Sequence, residues 1–292
     1  MGAAVTHNQL TVVSIYGHNN GASAINSIVH SVAQLPGSKG LLLSLERPAE
    51  LPTSIEWKKI GLTNYWDYST FTFHCLASFI DTDYCLIVQD DGWVLNGANW
   101  HDYYYDYDYI GAPSHCGKVD DKLYLQFAWT EFPNAVPVQN GGFSLRSKRM
   151  LDAPNKHGIA HRWANEIHNW NEDAQLSAIL KPEFEQLGMK YAPVEIAREF
   201  SIEHLGPKLH DGIDFTKIVG HHAQTRRLVA PYVIQITKPR REVETFYREI
   251  EFLNYLMDIG YQIEFFQPPV ASVRINAPSQ KVPSRQGQRN QH

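Results

Sequence analysis

A strand that has to stop at a pair of acids constrains this chain more than any other stretch. Leu86-Ile87-Val88-Gln89-Asp90-Asp91-Gly92-Trp93 sets three apolar residues ahead of two carboxylates. Such a run reads as a buried strand, and it ends where bare charge can no longer remain in a core. In open α/β sheets ligands bind beyond the carboxyl ends of strands, and neighbouring carboxylates beside a turn-permitting Gly92 can hold a divalent cation. An ordinary Asp-Asp-Gly turn is written with the same letters.

Earlier runs give that strand its companions. Leu10-Thr11-Val12-Val13-Ser14-Ile15-Tyr16 predicts a first strand, followed by a polar loop, Gly17-His18-Asn19-Asn20-Gly21, and a helix over about 22–34. Gly40-Leu41-Leu42-Leu43-Ser44-Leu45 is apolar enough for a parallel strand covered on both faces. Residues 68–80 predict a helix feeding the Leu86 strand, so the first half is Rossmann-like. Neither G-x-G-x-x-G nor G-x-x-x-x-G-K-[ST] occurs, which removes a dinucleotide fingerprint and a P-loop. Tyr16, His18 and Asn19, at the end of strand one, could stack on and hydrogen-bond a nucleotide base.

Several function classes fall away on composition. The 43% apolar content supports a substantial core, and a net charge of −5 provides no global field for nucleic acid. Three cysteines without CxxC spacing argue against a disulfide scaffold or zinc knuckle. No signal pattern or transmembrane run is apparent, so the expected location is cytoplasmic, or peripheral at the inner face of a membrane.

Four later stretches carry chemistry. From Trp100 to Tyr109 aromatics and acids alternate, which suits either a sugar-binding rim or a plain edge strand. Asn140-Gly141-Gly142-Phe143-Ser144-Leu145-Arg146-Ser147 lets backbone approach a ligand and ends in cations, Arg146, Lys148 and Arg149, that could meet phosphate. Glu172-Asp173 opens a helix expected to run to about Leu180 and to stop at Pro182. Acids there oppose the helix dipole, and Asp173 could also be a general base. Histidines then gather at His204, His210, His221 and His222, of a type that suits Mn or Zn in an Asp-held site. A strand at 232–236, a helix over roughly 240–258 and a strand at 261–266 form a βαβ-like appendage, and a polar tail follows.

Taken together, Gln89-x-Asp91-Gly92, Tyr107 to Pro113, Asn140 to Ser147, Glu172-Asp173 and Gly220-x-His222 resemble a family of bacterial and fungal glycosyltransferase-like proteins, the DUF5672 type, over about Val12 to Ala223. The resemblance implies a GT-A-like mixed central sheet flanked by helices, a nucleotide diphosphate sugar donor (a UDP-sugar being the commonest), a hydroxyl-bearing glycan or glycoconjugate acceptor, and Mn2+ or Mg2+. With the pattern change at Pro231, the expected division is a GT-A-like domain over 1–230, the appendage over 231–270 and a disordered tail over 271–292. Asp91 corresponds to the last acid of a DxD-type motif, with Gln89 in place of the first and Asp90 as substitute. Asn140, Gly141 and Gly142 would shape the floor under donor sugar and acceptor. Asp173 would be the base of an inverting transfer, Glu172 would contact hydroxyls, and His222, or failing it His221, would complete the metal site with Asp91. Two rivals stand beside it: a metal-dependent hydrolase of nucleotide sugars or phosphoesters that uses the same acids, and a carbohydrate-binding module built on the aromatic residues 100–109.

Overall fold

The computed structural model describes residues 6–162 and 171–267, so the tail expected from 271 lies outside the described residues. Elements follow in chain order as β1 (Leu10–Tyr16), α1 (Ile25–Gln34), β2 (Lys39–Ser44), β3 (Ile55–Lys59), α2 (Tyr65–His74) and β4 (Tyr84–Ile87). Next are β5 (Gly92–Val94), β6 (Tyr109–Val119), β7 (Lys122–Tyr124), β8 (Val136–Ser147) and α3 (Lys148–His157). After these come α4 (Glu172–Ala174), α5 (Lys181–Gln186), α6 (Val194–Phe200), β9 (Ser201–Ile202) and β10 (Gly220–His222). The described chain closes with β11 (Arg226–Ala230), β12 (Val233–Ile236), α7 (Arg240–Val243), α8 (Glu249–Asp258) and β13 (Gln262–Phe265).

Seven strands form the central sheet in the order β3-β2-β1-β4-β8-β6-β7. The first four are parallel, and β8, β6 and β7 then alternate in direction, so the fold is mixed α/β with helices on the sheet faces. The continuous apolar runs behave as their composition dictates: Leu10, Val12, Val13, Leu41, Leu42, Leu86 and Ile87 are all buried. Alternation divides them between two cores, with Val12, Leu42 and Leu86 on one face and Val13, Leu41 and Ile87 on the other. Asn64 caps α2 by accepting from the Asp67 amide.

A small sheet, β5-β10-β9, contacts β8 of the central one, and a third sheet is β11-β12-β13. β12 and β13 pair in parallel with α7 and α8 between them, and β11 adds an antiparallel neighbour. Trp93, Ile202 and Leu228 share a core with Ile234, Phe252 and Tyr261, and the Trp93 indole donates to the Tyr261 hydroxyl at 2.9 Å.

Three local expectations are corrected. The segment over 100–109 is not an alternating edge strand: Asp102–Asp106 forms a 3-10 turn, β6 starts only at Tyr109, and Trp100 and Tyr104 pack against Phe200 in the core. After Glu172–Ala174 the chain makes a π turn over Gln175–Ile179, and Pro182 begins α5 instead of ending a helix, in a first turn where its missing N–H costs nothing. The helix expected over 240–258 is broken, with Arg248 in the left-handed region at φ 50° ahead of α8. Among the described residues no helix is long and apolar enough to cross a membrane.

Candidate active site

β4 ends at Ile87, and the Gln89–Gly92 turn carries Asp91 into a cavity of about 520 Å³. Asp91 arrives from that turn, Asn140, Gly141 and Gly142 from mid-β8, Glu172 and Asp173 from α4, Glu203 and His204 from the end of β9, and His222 from β10. A second cavity of about 700 Å³ lies beside it, lined by Tyr16, His18, Asp90 and Arg227 among others. Tyr65, Tyr68, Gln89, Asp91 and Gln224 line both, so the two spaces meet along the acid turn.

Asp91 is held between cations. Its Oδ1 is 3.2 Å from His222 Nε2 and its Oδ2 3.0 Å from Arg227 Nη1, while Asp90 Oδ2 is 3.4 Å from Arg227 Nε. Burial would raise the Asp91 pKa, but His222 and Arg227 outweigh it and hold the carboxylate below its ordinary range. The same pairing acts in reverse on His222: burial disfavours its cation, yet Asp91, with Glu203 and Asp173, lifts its pKa above the usual imidazole value. His222 Nε2 is also 3.2 Å from Gln89 Oε1, whose amide donates to the Tyr68 hydroxyl at 3.0 Å. His221 faces away, as alternation along a strand requires, packing its ring on Trp93 at 4.1 Å and pairing with Arg226.

Gly141 and Gly142 line the cavity beside Asn140, and neither has room for a side chain. A Cβ on Gly141 would stand 2.3 Å from Glu172 Oε1, and one on Gly142 2.3 Å from His222 Nε2. Their bare backbones therefore make room for the side chains that line the cavity. Gly92 serves His222 from the other side, where a Cβ would be 2.9 Å from His221 O and 3.1 Å from the His222 side chain. Asn140 Oδ1 accepts from the Gly142 amide at 2.7 Å, and its Nδ2 donates to Glu203 Oε1 at 2.9 Å.

Asp173 Oδ2 accepts from the Gly141 amide at 3.1 Å and Oδ1 from its neighbour Ala174 at 2.7 Å. Burial first, then the adjacent Glu172, push its pKa well above the normal carboxylate range despite those bonds. Glu172 also lines the cavity, with its Oε1 taken by Arg146, which donates to it at 2.9 Å. Arg146 is fully buried, also donates to Ser144 Oγ, and lies over the Tyr109 ring, so the phosphate role expected of it is not open to its guanidinium. Lys148 and Arg149 line a separate surface depression with Asp108. Tyr16 accepts the Asp90 amide at 2.9 Å, bracing the acid turn from beneath, and Asn19 folds back on the Gly21 amide at 2.7 Å, while His18 faces the second cavity.

Glu203 was not singled out by the sequence, nor were His115, Tyr65, Tyr68 and Arg227, and His204 was read only as one of a gathering of histidines. Glu203 Oε2 is buried without a hydrogen-bond partner, and burial, with Asp173 and Asp91, pushes its pKa up to about 7 although His222 opposes the shift. Burial and nearby His115 lower His204 to about 4, keeping it neutral. One signal was available: Phe200-Ser201-Ile202-Glu203-His204 repeats the pattern of an apolar run ended by charge.

Among solved structures, this one is similar to the galactosyltransferase LgtC in complex with donor and acceptor sugar analogs, with a TM-score of 0.45 and 12% identity over 87% of this chain and 97% of that one. It is also similar to the apo structure of the bifunctional glycosyltransferase WbbM, with a TM-score of 0.42, 10% identity, and coverage of 89% of this chain and 51% of that one. No curated protein matches. A family model described as "Protein of unknown function (DUF5672)" matches residues 58–221, and the chain belongs to that family.

Proposed function

We propose that the chain transfers a sugar from a nucleotide diphosphate sugar to a hydroxyl acceptor with inversion. The observation that carries this reading is the junction of the two cavities along Gln89 and Asp91, a shape for a ligand with two unlike ends. The nucleoside end occupies the space beside Tyr16, His18 and Arg227, and the sugar lies over Asn140, Gly141 and Gly142 near Asp173.

Asp173 is the base. As the acceptor oxygen bonds to the sugar's anomeric carbon, its proton passes to the Asp173 carboxylate, and the bond from that carbon to the diphosphate oxygen breaks with its electrons leaving on phosphate. One carboxylate acting as base, with no covalent intermediate, gives inversion, as it does in inverting hydrolysis. Arg227, which lines the second cavity and pairs with Asp91, offsets charge on the departing diphosphate.

The residues also fit a divalent ion. Gln89 Oε1 and Asp91 Oδ1 each stand 3.2 Å from His222 Nε2, close to the ~3 Å separating neighbouring ligands of an octahedral ion, and Asp91 Oδ1 has no aligned hydrogen-bond donor. These three would hold Mn2+ or Mg2+, which supplies Lewis-acid charge to a diphosphate. Gln89 in place of an acid removes one charge from the set.

A thermal-shift panel of nucleotide diphosphate sugars with and without Mn2+, followed by product analysis, tests the reading. A donor that raises the melting temperature and yields a glycosylated acceptor is expected. Free sugar formed despite saturating acceptor would replace transfer by hydrolysis.

A further inference from the structure

The principal cavity has a second group of ligating side chains that the transfer reaction leaves unused. His115 comes from β6, while Glu203 and His204 follow β9, and one ligand atom from each lies within 4.8 Å of the other two. The two imidazoles meet edge to face with centroids 5.2 Å apart. Glu203 is buried, with Oε1 fixed by Asn140 and Oε2 lacking a hydrogen-bond partner. All three line the cavity, so its space supplies whatever coordination position they leave open.

We infer that His115, Glu203 and His204 form a zinc-class divalent-cation site, separate from the Gln89, Asp91 and His222 set. Two imidazoles and a carboxylate are a borderline-soft donor set that favours Zn2+ and late first-row ions over Mg2+, and three protein ligands leave a fourth position for water or a ligand oxygen. A loaded tetrahedral site spaces its ligands about 3.3 Å apart, so the trio would draw together when the ion binds. The cation would also meet the uncompensated Glu203 oxygen, and a buried acceptor left unpaired is costly.

The test uses the full chain, stripped with a chelator and titrated calorimetrically with Zn2+. In Asp91→Asn, which disables the Gln89, Asp91 and His222 set, one Zn2+ equivalent is expected to be retained, and it is weakened at least tenfold when His115→Ala, His204→Ala or Glu203→Gln is added to that background. Metal-free melting curves establish that each variant is folded. Retention of the equivalent in both histidine variants, or its loss in Asp91→Asn, overturns the assignment. Should the histidine variants fail to fold, Co2+ bound to the wild type decides: intense visible bands of a low-coordinate histidine site support it, and a hydrated-ion spectrum overturns it. These readouts are indifferent to whether the cavity transfers sugar.

Discussion

Arg146 and Glu172 form an ion pair at 2.9 Å with both side chains closed to solvent, directly beneath the glycine floor. A buried pair of this kind holds shape more than it adds stability, because desolvation offsets its attraction. Arg146→Met or Glu172→Gln alone should therefore destabilise by about 3–5 kcal/mol, since each strands the partner's hydrogen-bonding or charge. The double variant Arg146→Met/Glu172→Leu should recover most of that loss in urea melts. Equal losses in single and double variants would mean that the pair does not act as a unit.

Gly142→Ala should lower activity more than stability. Its Cβ must displace the His222 ring, at 2.3 Å, while overpacking at one methyl costs about 1–3 kcal/mol. Melting temperature and donor affinity, measured side by side, check this; unchanged donor affinity would separate His222 from donor binding.

Asp173→Asn should reduce transfer by about 10²–10⁴-fold while donor affinity changes by only a few-fold. Because burial and Glu172 raise the Asp173 pKa, the wild-type rate should climb with pH along an acid limb lying well above that of an ordinary aspartate. A wild-type profile flat from about pH 5 upward would remove Asp173 as the base.

Glu203 makes a prediction about stability in the metal-free protein. Its pKa rises from 4.5 to about 7 on folding, so between those values the folded state holds a proton that the unfolded state releases. Stability from this group is fully present below about pH 4.5 and is lost as pH rises through about 7, a slope worth roughly 3 kcal/mol at most. Glu203→Gln should flatten the difference between urea melts at about pH 5 and about pH 8. An unchanged slope would show that Glu203 already ionises normally.

Much of the central sheet was legible because its parallel strands are apolar on both faces, and no other element writes Leu41-Leu42-Leu43 or Leu86-Ile87-Val88 so plainly. The acid turn, the paired glycines, Glu172-Asp173 and His222 could be read because each interrupts a regular pattern, and all reach one cavity. Glu203 and His115 could not be placed in it by local pattern, since β9 has only two residues and His115 sits inside an eleven-residue strand. Their arrival together is a matter of tertiary packing. The Trp100–Tyr109 alternation misled for a similar reason: Tyr104 and Trp100 find partners on Phe200, and burial there overrides the period of two.

The three residues of β10 set two histidines, one peptide apart, into different parts of the molecule. His222 looks into the cavity, and His221 is wedged among Trp93, Arg226 and Phe252 of the far core. The carboxy-terminal sheet is thus a backstop for the chemistry: loosening it loosens the strand that aims His222. Natural variation in residues 226–263 can accordingly retune the cavity from behind, and a chain cut at 231 would lose the alignment of the cavity along with a sheet.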